Sequence, residues 1–390
     1  MYTPTKLDLA DIDTEPFQGP AAFIGTLGGG KTLGMEYTCA LAARAGVPSI
    51  IFDPDGDWDT LTNIEELRGG IRRVRMGENS TARMPILGLF PPEKAGEAEG
   101  FVTGTLIQLV GADSECPDSR IMRQVIRHNV SEYLTSTHME DWKPSGLRRT
   151  FERYSHLQEK GCRMESAEEV VEQLRHFANN KLTHPIFSDE AHEGYAVHEQ
   201  EIRDPITLIQ TGDLPLPKPG ARNTTDQERI NRVVISVSAA YAIELASEYR
   251  PTRIKPVRII TFDECWQLFA TTTGQDLIHG LIREAPSQNL VPIIGTQLWS
   301  DIPDDILAML EVMFAFKESD RSEIERGLSA MGVDASDKDL VSKVMRYDPG
   351  ECLHHEASGN VGAMQWRIQP ERWLDALSSR SDSPQKRGER

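Results

Sequence analysis

Several things are scarce in this 390-residue chain, and each scarcity excludes a class of function. Cysteine is limited to Cys39, Cys116, Cys162, Cys265 and Cys352, an odd number with no CxxC pair and no His-rich spacing. Neither a disulfide framework nor a zinc site is supported, and a reducing cytosol fits. Basic residues are in deficit, 42 Lys and Arg against 60 Asp and Glu, for a formal charge of −18. Nonspecific coating by nucleic acid needs clustered cations and is excluded for the surface as a whole, although a local basic channel within a ring is not. Long apolar runs are also missing. The most apolar segment, Val233 to Ala246, is interrupted by Ser236, Ser238 and Glu244 and falls short of the roughly 18 apolar residues of a membrane helix. Membrane association is therefore expected to be peripheral or through partners. The opening residues, MYTPTKLDLADIDTEPFQGP, are acidic where a secretory leader would be basic, so no export signal is expected.

What is present is ordinary globular composition, 39 % apolar and 26 % charged. The length points to one large α/β domain with an inserted or appended subdomain. Residues 20 to 62 read as strand, loop, helix, strand: PAAFIG, TLGGGKT, LGMEYTCALAARAG and VPSIIFD. This is a βαβ unit, and it implies a parallel sheet. Leu33, Tyr37, Ala40 and Leu41 recur at helical spacing, which predicts a helix with one face on the sheet, ended by Gly46 and Pro48. From about 77 to 200 the pattern becomes helix-prone and mixed in charge, with Ser166 and Glu169 placed as a capping box. Strand signals return at 206–210, 257–264, 290–297 and 312–317, with a long helix from Asp226 between the first two. The expected division is 1–76 and 201–378 as two halves of one domain, 77–200 as a mainly helical insertion, and 379–390 as a mobile tail.

Gly25-Thr26-Leu27-Gly28-Gly29-Gly30-Lys31-Thr32 satisfies GxxxxGK[ST], after an apolar strand and at the opening of a helix that continues with Leu33. Glycines leave room for a phosphate to approach backbone N–H groups, the helix N-terminus attracts it, Lys31 neutralises it and Thr32 ligates Mg²⁺. Such a site also needs acids at the end of a buried strand. Val257 to Phe262 supplies the strand, Asp263 the Mg²⁺ ligand and Glu264 the general base. A competing acidic pair, Asp189-Glu190 in SDEAH, follows KLTHPIFS, a poor buried strand, and reads better as a surface loop. Gln297, closing the strand LVPIIGTQ, would stand beside the γ-phosphate if that strand neighbours the one ending at Asp263. Arg283 is the candidate to reach the nucleotide of a neighbouring subunit. Asp53, Asp55, Asp57 and Asp59 imitate a calcium loop, but Ile64 stands where its bidentate Glu is required, so an acidic turn is expected.

Together FIGTLGGGKTLG, SIIFDPDGDWDTL, IITFDECWQLF and LIREAPSQNLVPIIGTQLWSDIP resemble the motor domain of the HerA/FtsK superfamily of ring ATPases, nearest to conjugation and type IV secretion ATPases. The family's Asp-x-x-Gly-x-aromatic turn is matched by Asp53, Gly56 and Trp58, its Walker B acids with a following small residue and Trp by Cys265 and Trp266, and its sensor by Thr296, Gln297 and Asp301. The resemblance runs from about residue 3 to 370, ending in a strand pair around GECLHHEASGNVGAMQWRI. It implies a RecA-like core with ATP and Mg²⁺ as cofactors, and catalysis by Glu264 with Lys31, Gln297 and a trans Arg283. It also implies a ring homo-oligomer, expected as a hexamer, working on DNA or protein with membrane-embedded secretion components at the inner face of the cell membrane. Gly29 and Thr32 stand where the family more often has Ser, and the family's N-terminal docking domain is not matched. A DNA translocase or viral genome-packaging motor, and a nucleotide-gated assembly protein with slow hydrolysis, are the alternatives.

Overall fold

The structure is a computed structural model that describes residues 19–76, 85–90, 94–112, 117–138, 141–155, 161–187, 189, 204–212, 214, 225–247 and 257–378. The strands are β1 (Ala21–Ile24), β2 (Ser49–Asp53), β3 (Ile71–Arg75), β4 (Ile206–Gln210), β5 (Arg258–Phe262), β6 (Leu290–Thr296), β7 (Val312–Ala315), β8 (Glu351–His355) and β9 (Val361–Gln365). They form one sheet in the order β3-β4-β2-β5-β6-β1-β7-β8-β9. Pairing is parallel from β3 through β7, and β8 and β9 close the edge as an antiparallel hairpin. The central strands are buried on both sides and read as continuous apolar runs, as parallel strands covered by helices must. Their side chains alternate between two cores. Ala22, Ile24, Ile50, Phe52 and Phe262 enter one, Ala21, Phe23, Ile51 and Ile293 the other.

The helices are α1 (Lys31–Arg44), α2 (Ala95–Leu109), α3 (Pro117–Ser136), α4 (Pro144–Ser155), α5 (Gly161–Asn179), α6 (His184–Phe187), α7 (Asp226–Ser247), α8 (Trp266–Phe269), α9 (Thr272–Gln288), α10 (Asp304–Leu307), α11 (Arg321–Ala330), α12 (Lys338–Met345) and α13 (Glu371–Ser378). Between β3 and β4 the described residues hold helices and no strand. Residues of α2 to α5 share one continuous core with α7 and α9, so these helices are joined to the motor by apolar packing.

Three readings change. Strand β3, IRRVR, was missed because only its Val74 is buried, as an edge strand allows. Helix α5 begins at Gly161, which places Ser166 inside the helix and not at its cap. Helix α1 does not bury a single face: Tyr37 packs edge-on against Trp366, which also lies against Phe23 and Phe314 of the sheet, and against Trp373 of α13, while Leu33 and Leu41 are only half-buried. The C-terminal hairpin and α13 cover what periodicity left to solvent. Helix α7 is long and apolar enough to cross a membrane by length and composition, and 89 % of its apolar window is buried inside the chain, as in a core helix.

Candidate nucleotide site

The sheet brings the sequence candidates to one edge. Strand β1 lies between β6 and β7, and β6 between β1 and β5, so the loops after β1, β5 and β6 emerge side by side. The loop after β1 is Gly25 to Gly30, and it is held from outside. Thr26 donates its N–H and its hydroxyl to Lys317 O at 3.0 and 2.9 Å, and Gly350 N–H donates to Gly29 O at 2.9 Å. Gly30, with φ of 101°, sits so close to this contact that a Cβ would lie 2.7 Å from Gly350 N. Only glycine fits there. Gly28 also has positive φ, with open space where a Cβ would stand, and Leu27 is 80 % exposed. Among the described residues no side chain caps the N-terminus of α1, so its first-turn N–H groups are open to an anion, as a phosphate cradle requires.

Lys31 is buried. Its Nζ lies 2.9 Å from Asp263 Oδ1 and 2.9 Å from Glu264 Oε1. Burial works to lower the lysine's pKa, but the two carboxylates outweigh it and the net displacement is upward. Burial likewise pushes Asp263 up, and the Lys31 ammonium with the hydrogen bonds of Lys31 and Trp58 carries it below the ordinary range. The Thr32 hydroxyl is 3.4 Å from Asp263 Oδ2, and the two oxygens are the pair that would share a divalent cation.

Glu264 adopts φ of 46°, a left-handed conformation that is rare outside glycine. Such strain costs on the order of 1 kcal/mol and persists where surrounding contacts over-determine it. Here they do: Glu264 Oε2 accepts Trp266 Nε1–H at 2.9 Å and Gln297 Nε2–H at 3.2 Å. Gln297 is aimed by the turn behind it, where Asp301 Oδ2 accepts the Thr296 hydroxyl at 2.8 Å and Leu298 N–H at 3.1 Å. Arg326 fixes the same turn through Trp299 O and Ile302 O, both at 3.2 Å.

A model of the AAA-like domain matches residues 18–377. The chain belongs to the AAA-like domain family. Among curated proteins none matches it. Among solved structures, VirB4 of Thermoanaerobacter pseudethanolicus superposes with a TM-score of 0.66 at 13 % identity, over 90 % of each chain. The bacterial conjugative coupling protein TrwBdeltaN70, in a complex with sulphate, superposes at 0.59 and 13 % identity, over 92 % of this chain and 86 % of that one. These likenesses bear on the fold. The genome packaging NTPase B204 from Sulfolobus turreted icosahedral virus 2 reaches 0.39 at 9 % identity over 90 % and 98 % of the two chains, too low to bear on either. The family agrees with the resemblance read from the motifs.

In this AAA-like domain the Asp53-to-Trp58 turn has a part that its letters did not reveal. Asp53 Oδ1 accepts the N–H groups of Gly56 and Asp57, Oδ2 accepts Trp58 N–H and Gln210 Nε2–H, and the carboxylate is spent on closing the turn. The closed turn sends Trp58 inward, where Nε1–H donates to Asp263 Oδ2 at 2.9 Å. Asp263, the candidate metal ligand, is thereby held by an indole from the turn that follows the neighbouring strand β2.

Glu36, one turn beyond Thr32 on α1, carried no sequence signal. It is buried and hydrogen-bonded to Thr60. Burial pushes its carboxyl up to about 8, against the Thr60 hydrogen bond, with Asp263, Asp53 and Asp57 adding repulsion. Burial similarly pushes Asp53 up to about 7 despite its Gln210 hydrogen bond. A folded-state value above the unfolded one means that the folded chain holds the proton longer, so stability falls as pH rises between the ordinary 4.5 and about 8. Glu36→Gln keeps the hydrogen bond and removes the titration. Its melting temperature should exceed wild type by on the order of 5 °C at pH 8 and match it at pH 5, measured by calorimetry. An equal difference at both pH values would show that the carboxyl is not held protonated.

Of the remaining candidates, Arg283 is exposed on α9 and forms no hydrogen bond or ion pair with described residues. Glu190 lies outside the described residues; its neighbour Asp189 accepts Ser145 N–H at 2.8 Å.

Proposed function

We propose that the chain is a ring ATPase that powers transfer of DNA or protein through a conjugation or type IV secretion machine. The observation that carries hydrolysis is the placement of Glu264: one carboxylate oxygen held by Trp266 and Gln297, the other on Lys31, at the mouth of a glycine cradle. The motif set and the VirB4 and TrwB folds favour the conjugation branch. Bound MgATP would supply the phosphoanhydride to be cleaved, and Thr32 and Asp263 would hold its metal. Lys31 exchanges its carboxylate partners for phosphate oxygens, which frees Glu264 Oε1 to take a proton from water while Oε2 stays clamped. The backbone of residues 25 to 33 orients the phosphates.

Among the described residues no arginine is bonded into this site, and Arg326, which lies nearby in sequence to the sensor turn, is occupied within its own chain. Charge developing on the γ-phosphate is therefore met by an arginine from the next subunit, for which Arg283 is the candidate. Such a group contributes ~10³-fold or more in rate. Turnover per chain should rise with protein concentration as the ring forms. Arg283→Ala and Lys31→Ala should each be inactive, and mixing them should restore part of the activity. Concentration-independent turnover by a monomer would sink the ring. A severalfold stimulation by duplex DNA alone would move the reading to a translocase or packaging motor.

A further inference from the structure

A second site lies away from the cradle, in a cavity of about 880 Å³ between α2, α7 and α9, with α3 closing one end. That volume is in the range of small-molecule pockets, roughly 300–1,000 Å³. Helices α2 and α7 run antiparallel along it: Lys94, before α2, bonds Glu244 near the end of α7, while Gly111, after α2, sits against the guanidinium of Arg229 near its start. Phe101, Ile107, Ile243, Leu277 and Leu281 give the cavity an apolar wall.

The two ends differ in charge. At one, Lys94 Nζ lies 2.9 Å from Glu244, 3.7 Å from Glu284 and 3.9 Å from Glu97, so carboxylate is in surplus there. At the other, three arginines converge on the end of α2. Arg123 and Arg127 share a face of α3 by their spacing, and Arg123 Nη1 donates to Ala112 O at 2.7 Å. Arg232 enters from α7, one turn beyond Arg229. Among the described residues neither Arg127 nor Arg232 has a hydrogen bond or ion pair, and Arg232 Nε is buried without one. Beside them Gln108 is only 6 % exposed, and its Oε1 is buried without a hydrogen-bond partner among the described residues.

A chain of formal charge −18 has acid enough to neutralise every guanidinium it owns. Burying an unpaired guanidinium atom and an unpaired amide oxygen in one pocket costs free energy that a ligand would return. The ligand must bring an anion for Arg127 and Arg232, a hydrogen-bond donor for Gln108 Oε1, and an apolar body between. We propose that this cavity binds a phosphorylated small molecule of about nucleotide size. A nucleic-acid backbone fits less well, because Gln108 and Glu244 line the pocket at 6 % and 2 % exposure, out of reach of a duplex.

The probe is inorganic pyrophosphate, titrated calorimetrically into the full-length chain. Wild type should bind one more pyrophosphate than Arg127→Gln/Arg232→Gln, while Lys31→Ala loses a different one, at the glycine cradle. Equal stoichiometry in wild type and the double variant overturns the proposal. If the double variant fails to fold by circular dichroism, the single Arg127→Gln, at an exposed position on α3, should weaken the second site at least tenfold. Unchanged affinity there is equally fatal. Because the two sites are lost by different substitutions, failure of this inference leaves the nucleotide-site reading untouched.

Discussion

The Lys31→Ala protein is expected to bind no nucleotide measurably and to turn none over, and also to be less stable than wild type at neutral pH. The first effect follows from removing the cation that meets the phosphates. The second follows from the structure, because Lys31 is the counter-charge of Asp263 and Glu264 at 2.9 Å each, and removing it leaves the buried Asp263 and the half-buried Glu264 without a cation. Breaking a buried pair in this way typically costs about 3–5 kcal/mol. Asp263 has a depressed folded-state pKa, so its contribution is present above the ordinary carboxylate value and lost as pH falls through the folded one. The melting temperatures of wild type and variant should therefore converge toward acid pH. Lys31→Ala/Asp263→Asn should recover most of the stability and none of the binding. Nucleotide binding by a folded Lys31→Ala would remove the P-loop assignment.

Glu264→Gln is expected to bind MgATP as tightly as wild type or more tightly, and to hydrolyse it about 10²- to 10⁴-fold more slowly. The amide can still accept from Trp266 and Gln297 at the former Oε2, so the loop keeps its shape. It can no longer take a proton from water. The NH₂ group then stands at the former Oε1 and faces Lys31 as donor against donor, so that contact is lost and the lysine passes to the phosphates at a smaller cost than from the wild-type ion pair. Stopped-flow binding with a fluorescent nucleotide and steady-state phosphate release separate the two effects. Glu190→Gln should leave release near the wild-type rate. Were Glu190→Gln the inactive protein and Glu264→Gln the active one, the acids would have been assigned to the wrong strand end.

Much of the site was legible because its chemistry is local in sequence. The glycine cradle, Lys31 and Thr32 occupy eight consecutive positions, and Asp263 and Glu264 follow an apolar strand directly. Gln297 was legible only conditionally, since its role rested on β6 lying beside β5, which the sheet order provides. Glu36 was not legible. A glutamate inside a helix ordinarily reads as its solvated face, and only the packing around α1 shows that this one is buried against Thr60 with Asp53 and Asp57 facing it.

The sequence by itself determined the βαβ opening, the parallel core strands, the phosphate cradle and the acidic strand end, because each is encoded by residues within one turn or one strand of one another. Tertiary structure decided the rest. It covered Tyr37 of α1 with Trp366 and Trp373 from the far end of the chain, and it set Gly350 against Gly30. It also turned Trp58 onto Asp263 and gathered arginines of α3 and α7 at one end of a cavity. The physical reason is common to all of these: burial and contact between segments distant in the chain depend on strand order and on which helix covers which face, and no local periodicity carries that information.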